Sequence, residues 1–523
     1  MGPITSGSKA KKLAAGPELA ALLPQDPKPW YLTRHLLMLN LVLMVPLFST
    51  ASIGYDGSMM NGLQSLLIWR AYFKHPTASI LGTMNAVYPI GKFFGVFFTA
   101  WMGDRYGRKL PMCIGFLLLI LGAGLQGGAK NVAMFIIARL ILGFGTAFVA
   151  QPSPILIAEL AYPLHRGRIT AIYYSTYYVG GIIAAWGTYG TSHLHTQYSW
   201  RIPSYIQGAL PVIQLLFLYF VPESPRWLIA KGRHAEAHAI LSKYHAGGDT
   251  ASPLVAFELA EMEGSIQTER TVTSETNYLD LFRTAPNRRR TLIAMIVGFY
   301  GTWSGIAIIA YYLTLVLDTI GITDTSSQVL INGLTQVFNL LMSITSALLI
   351  DRIGRRPLWL VAVAGMLCSY IAWTALSASF AHTHDAATGR AVLGFIFLYK
   401  LFYDGSFSPM LLAYPIEIFP YTLRGRGVTV SIATNQVALI VSQFVNPVAL
   451  TRIGWRYYIV FCVLLAVFWG LVWFLFPETK GRSLEEIAEV FDGRGISVGS
   501  WRRTGMRRRR RRVGRGWSLG RRL

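Results

Sequence analysis

The sequence predicts an all-α membrane protein: twelve transmembrane helices in two six-helix bundles related by pseudo-symmetry. Three observations carry that expectation. Of 523 residues, 53% are hydrophobic and only 14% charged, a balance that suits lipid rather than water. Apolar runs of roughly 20 residues recur along the chain, each long enough to cross a ~30 Å hydrocarbon core as a helix. The charged turn Gly103, Asp104, Arg105, Tyr106, Gly107, Arg108, Lys109 lies between two such runs and returns as Asp351, Arg352, Ile353, Gly354, Arg355, Arg356 in the same setting.

Two more pairs of signals keep step with that repeat. Glu159 is followed seven residues later by Arg166 and Gly167, and Glu417 by Arg424 and Gly425 at the same interval. Pro222, Glu223 and Ser224 close the first half much as Pro477, Glu478 and Thr479 close the second. Three ordered signals at matching places describe one unit built twice, a recurrent design of secondary transporters. The spans are expected at residues 36–60, 80–102, 111–129, 133–160, 169–186 and 205–220 in one bundle. The other bundle takes 291–317, 329–350, 357–380, 391–416, 428–450 and 457–476. The chain then divides into an N-terminal segment (1–35), a first bundle (36–220), a helical linker (221–290), a second bundle (291–476) and a tail (477–523).

Arginine and lysine set the orientation, because loops rich in them stay cytoplasmic. Arg105, Arg108 and Lys109, Arg166 and Arg168, Arg352, Arg355 and Arg356, and Arg424 and Arg426 all fall in alternate loops. Those loops, the linker and both termini are expected in the cytoplasm, with the plasma membrane as the site of residence. Cys113, Cys368 and Cys462 lie inside spans, so no disulfide framework is implied. The net charge of +23 is not a nucleic-acid signature: twelve arginines follow Gly493 with no acid, leaving the rest near +11. Arg507 through Arg512 suit an anionic lipid surface, at about 1 kcal/mol per residue, or a solvated disordered tail. There is no nucleophile–base set, phosphate loop or nucleotide cassette, so neither an enzyme nor an ATP-driven pump is expected, and no cofactor. His193 with His195 and His382 with His384 fall in external loops and are not read as a metal site.

An ionisable side chain at mid-membrane costs roughly 3 kcal/mol on insertion scales, so each one calls for an explanation. There are five: Asp56, Lys92, Arg139, Lys400 and Asp404. Lys400 and Asp404 are four apart, on one helical face; they either neutralise each other or leave Lys400 to meet an acidic group of a solute. Lys92 has no evident partner. Polar stripes mark where a chamber would run. Asn332, Gln336 and Asn339 are spaced four and three in span 8, while Ser431, Asn435 and Ser442 share a face of span 11 beside Gln436, Gln443 and Asn446. Amides both donate to and accept from hydroxyls.

Gly54–Tyr55–Asp56, Arg139 ahead of Gly143 and Gly145, Glu159 through Gly167, Pro222 through Leu228, and Pro477 through Glu486 together resemble the sugar porter family of the major facilitator superfamily. The resemblance covers nearly the whole chain. Residues 180–186 and 444–450, with Ile453 through Ile459, look like its lactose-permease-like branch described in fungi. The resemblance implies the major facilitator fold and, with Asp56 as proton-binding carboxylate and Arg139 as its partner, proton-coupled symport of a sugar or sugar-like solute. It implies substrate contacts at Asn339 and Asn435, with Gln336, Gln436, Tyr174, Thr302 and Lys400 as further candidates. At the family's glutamine in span 5 stands Tyr174; Gly301, Thr302 and Ala307 replace the amides of span 7, and Leu412 the tryptophan of span 10. Fewer amides weaken plain hexose recognition and widen the candidates to glycosides, polyols, sugar acids and other polar metabolites.

The same resemblance implies a cytoplasmic gate in which, while the cytoplasmic side is shut, the arginine of one half pairs with the glutamate of the other. Arg108, Glu159 and Arg424 would form one cluster and Arg166, Arg355 and Glu417 another, flanked by Asp104, Asp351 and Glu223. Rival readings are a facilitator or exporter of a small metabolite, whose flux would ignore pH, and a non-transporting nutrient sensor, for which the tail is short. A monomer is expected, with solute, protons and the bilayer as its partners.

Overall fold

The computed structural model describes residues 29–275, 277–349, 354–420, 422–480, 487 and 491, and the elements within those stretches are helical. Arg507 through Arg512 and Asp351 lie outside the described residues. Span 1 is built from α1 (Arg34–Leu47) and α2 (Ser49–Ser65), with α3 (Leu67–Tyr72) after it. Spans 2, 3 and 4 are α4 (Ala78–Tyr106), α5 (Lys109–Gly127), and α6 (Val132–Ala150) with α7 (Pro152–Leu160). Spans 5 and 6 are α8 (Arg166–Ser192), and α9 (Tyr198–Ile206) with α10 (Ala209–Leu218). In the second half span 7 is α15 (Ala285–Trp303) and α16 (Ile306–Thr319), span 8 is α17 (Thr325–Leu349), and span 9 is α18 (Arg355–Thr383). Span 10 runs from α19 (Ala386–Phe402) to α20 (Ser408–Ile418), span 11 is α21 (Arg424–Ile453), and span 12 is α22 (Tyr457–Leu475).

Breaks fall where the chain chemistry requires them. Pro46 removes a backbone donor ahead of the junction at Phe48 between α1 and α2. Gly305, at φ +101°, separates α15 from α16, and a Cβ there would strike the Tyr370 ring. A five-residue π-turn, Tyr403–Phe407, joins α19 to α20; such turns insert a residue into the helix and often mark functional sites. Span 6 starts earlier than its apolar run suggests, because the polar turn beginning at Tyr198 already winds into α9.

Among the described residues, seven stretches are long and apolar enough to span a membrane on composition alone, one of them covering both α21 and α22. Spans 2, 5, 6 and 10 are not among them. Lys92 in α4, the glycines and tyrosines of α8, and Lys400 with Asp404 in span 10 lower the hydropathy of their spans, and span 6 is split into two short helices. Small residues bring the helices together. A Cβ at Gly54 would collide with the Tyr177 carbonyl, and one at Gly180 with the Ala51 carbonyl, so α2 and α8 cross almost backbone to backbone.

The linker carries α11 (Pro225–Ala230), α12 (His234–His245), α13 (Pro253–Glu275) and α14 (Asp280–Arg283). It docks through buried His245, whose Nδ1 lies 2.8 Å from Glu258 and whose Nε2 lies 3.1 Å from the Leu160 carbonyl, at the end of span 4.

Candidate functional site

Asp56 sits in the middle of α2, 1% exposed. Arg139 of α6 reaches it with two parallel bonds, Nη1 to Oδ1 at 3.0 Å and Nη2 to Oδ2 at 3.2 Å. The Nε of Arg139 donates to the Met84 carbonyl at 2.6 Å, and its guanidinium lies over the Tyr88 ring. Gln207, from the turn between α9 and α10, donates to Asp56 Oδ1 at 3.0 Å. This fork geometry fixes a carboxylate in a dry setting. Removing either partner of such a buried pair costs about 3–5 kcal/mol. Gln207 was not evident from sequence, where a lone amide in a turn carries no spacing signal.

The second pair of interior charges behaves differently from the sharper of its two sequence readings. Lys400 Nζ lies 3.7 Å from Asp404 Oδ2, with both residues buried. Asn339 of α17, its amide oriented by its neighbours, donates to Asp404 Oδ2 at 2.9 Å and accepts from Lys400 Nζ at 3.2 Å. The Tyr178 hydroxyl of α8 donates to Asp404 Oδ1 at 2.9 Å. Lys400 is therefore a neutralised partner here rather than an open cation. Tyr178 and Asp404 belong to different bundles, so this polar knot bridges them at the π-turn.

The expected substrate residues separate into engaged and open groups. Asn435 donates to the Gly298 carbonyl at 2.9 Å and to Thr302 Oγ1 at 3.1 Å, tying span 11 to span 7. Gln336 and Gln436 are partly exposed and make no hydrogen bond among the described residues. Tyr174, one turn from Tyr178, is 50% exposed. Asn332 donates to the Ser58 carbonyl at 3.1 Å.

Bonds that join the bundles gather away from the basic turns. Asn61 donates to the Ala310 carbonyl at 2.7 Å, Gln64 to the Tyr311 carbonyl at 3.0 Å, and Ser65 meets Thr314 at 2.9 Å. Arg70 pairs with Asp318 at 3.4 Å farther out.

At the basic end the carboxylates are held inside their own bundles. Arg108 reaches both oxygens of Glu159 at 3.4 Å and donates to the Gly103 carbonyl at 2.9 Å, while exposed Asp104 stands 3.7 Å away. Arg355 donates to Glu417 at 3.1 Å. Within each expected cluster one pair is seen, Glu159 with Arg108 and Glu417 with Arg355, each formed inside one half. Arg166 is exposed with no ion pair among the described residues. Arg424 is partly buried at the start of α21.

Glu223 accepts from the backbone N–H groups of Arg108 at 2.8 Å and Lys109 at 3.1 Å, at the N-terminus of α5. Glu478, absent from the expected gate, does the same at α18, accepting from Arg355 N–H at 2.9 Å and Arg356 N–H at 3.1 Å. A carboxylate at a helix N-terminus satisfies otherwise orphaned donors. Burial raises the Glu478 pKa, but bonds from the N–H groups of Lys480, Arg355, Arg356 and Thr479 outweigh it and hold the group below its ordinary 4.5. The repeat of Pro–Glu–Ser as Pro–Glu–Thr was the signal that could have found it.

Residues 42–491 match the family model described as Sugar (and other) transporter. The chain is 31% identical over 454 residues to the MFS-type transporter oryC of Aspergillus oryzae, spanning 84% of this chain and 82% of the relative. It is 27% identical to the high-affinity glucose transporter of Kluyveromyces lactis, with 87% and 86% covered. Among solved structures it resembles the inward-open xylose transporter XylE of E. coli, with a TM-score of 0.72, 21% identity, and 86% and 99% covered. The proton:xylose symporter XylE bound to 6-bromo-6-deoxy-D-glucose gives a TM-score of 0.68, 22% identity, and 87% and 99% covered.

Proposed function

Because the chain belongs to the sugar transporter family of the major facilitator superfamily, a family of multi-pass membrane carriers rather than enzymes, we propose that it is a proton-coupled symporter. Its solute is a sugar or sugar-like molecule, moved by alternating access between two rocking bundles. The observation that carries the proton coupling is Asp56, a fully buried carboxylate gripped by Arg139 and Gln207 in the first span. In this reading the basic end faces the cytoplasm, and the present state is closed outside and open inside. The half-exposed Tyr174, below the Tyr178–Asp404 bond, borders that opening.

The cycle follows from which bonds each state permits. In the inward state Arg139 and Gln207 satisfy the Asp56 carboxylate. Separation of the outer seam, Asn61 and Gln64 from span 7, opens the far end and exposes the pair to external protons. A proton on Asp56 weakens its hold on Arg139, and the solute then bridges the bundles through Gln336, Gln436, Tyr174 and the amides of Asn339 and Asn435. The Arg108–Glu159 and Arg355–Glu417 pairs are wet at the open end, so exchanging partners between states costs little. The proton:xylose symporter XylE, whose fold this chain shares, is consistent with this scheme.

The test is the purified chain in liposomes with an acidic exterior, following labelled D-glucose and D-xylose uptake together with internal pH. Accumulation above the external concentration with internal acidification is expected. Sugar flux indifferent to the pH difference would favour a facilitator instead.

A further inference from the structure

The duplicated architecture locates one cation that the mechanism above does not use. Asp104 maps onto Asp351 and Arg108 onto Arg355, each 247 positions on. The same step carries Asn85 to Asn332 and Lys92 to Asn339. Positions 85 and 92 of span 2 therefore mirror the polar stripe of span 8. Asn339 at that place meets Lys400 and Asp404 from span 10. The step that takes Glu159 to Glu417 and Arg166 to Arg424, 258 positions, leads back from Lys400 to Leu142 and from Asp404 to Thr146. Span 4 thus offers Lys92 no carboxylate where span 10 offers one to Asn339. Thr146 is already bonded to Tyr88 at 2.9 Å and to the Leu142 carbonyl at 2.8 Å.

The orientation of Lys92 follows from the faces of α4. Phe94, Phe97, Phe98 and Trp101 are each more than half exposed and form its lipid side. Gly91 and Gly95 press on the backbone of span 4 at Leu140 and Phe144, and Gly82 on that of span 11 at Gln443. Lys92 lies between those two contacts, opposite the lipid face, yet it is partly exposed. That face of α4 is turned toward span 11 of the other bundle, which Gly82 touches. Lys92 stands 14 residues from either end of α4, about 21 Å at the helical rise, and so at mid-membrane. No ion pair or hydrogen bond of its ammonium occurs among the described residues. Seven residues away on the same face, Asn85 is 1% exposed with neither amide atom bonded; its neighbour Tyr312 donates instead to the Gln443 carbonyl at 2.7 Å.

We propose that Lys92 is a specificity-determining residue of the solute chamber, that it receives a carboxylate of the solute, and that the preferred substrates are sugar acids. An unpaired ammonium inside the membrane is retained against a desolvation penalty, and an incoming anion removes that penalty during transport. Asn85 supplies an unoccupied donor and acceptor for a solute hydroxyl on the same stripe. The inference rests on the transport reading above and narrows its solute.

D-Glucuronate and D-glucose differ by the charge in question and serve as probes for the full chain in liposomes. Lys92→Gln is expected to weaken glucuronate uptake about 30-fold or more, the loss typical when one partner of a buried charge contact is truncated, and to leave glucose uptake unchanged. Lys92→Arg should keep most of the preference. Because no partner is orphaned, Lys92→Gln should melt no lower than the parent; a lower melting temperature would overturn the claim that the ammonium is unpaired. Glucose moved in preference to glucuronate, equal glucuronate uptake by parent and Lys92→Gln, or equal competition by acetate each overturns the inference while leaving sugar transport intact. Movement of neither probe overturns the inference, while D-xylose uptake by the same liposomes tests the transport reading separately.

Discussion

The two halves agree at their basic ends almost bond for bond and disagree in the membrane interior. Arg108–Glu159 answers Arg355–Glu417, and Glu223 on α5 answers Glu478 on α18. Even the next cations match: Lys109 donates to the Tyr219 carbonyl at 3.2 Å and Arg356 to the Trp473 carbonyl at 2.7 Å. Inside, the first half holds Asp56–Arg139 between spans 1 and 4, and the second holds Lys400–Asp404 within span 10. The ends repeat one set of contacts, whereas the interiors hold different charged pairs and have diverged.

That contrast can be broken most forcefully at the buried pairs. Arg139→Met strands the Asp56 carboxylate and should lower stability by about 3–5 kcal/mol, read as a large drop in melting temperature. Asp404→Asn should lower stability comparably by stranding Lys400, while Lys400→Met with Asp404→Asn recovers most of the loss. If the double variant melts no higher than the single, the two do not act as a pair. At the matching ends, Glu223→Gln and Glu478→Gln should each cost about 1–3 kcal/mol and by similar amounts. A loss confined to one half would undo the symmetry argument.

The smallest effect concerns pH. Glu478 is held below 4.5, so its contribution is present above that value and fades as the medium is acidified through its folded pKa. The melting difference between the parent and Glu478→Gln should stay flat from neutral pH to about 4.5 and shrink below it. A difference that changes near neutrality would contradict the assignment.

Much of the architecture was legible because hydropathy and the repeated turns survive without tertiary information. Asp56 and Arg139 stood out because mid-membrane charge is rare. The fate of Lys400 was not legible: spacing put Asp404 within reach, but Asn339 and Tyr178 come from two other spans, and the π-turn that aims Asp404 leaves no periodic mark. The gate was half legible, since sequence names the arginines and glutamates but not which of them are paired in the state the chain adopts here. Gln207 and Glu478 were invisible for opposite reasons, one lacking any pattern and the other hidden within a motif read only as a boundary.

Proton coupling through Asp56 is the claim on which the interior contrast depends. Asp56→Asn, reconstituted in liposomes and assayed with the transported sugar, separates net flux from exchange. The account predicts that uphill accumulation under an imposed pH difference disappears while exchange across equal pH continues. Full accumulation by that variant would contradict it.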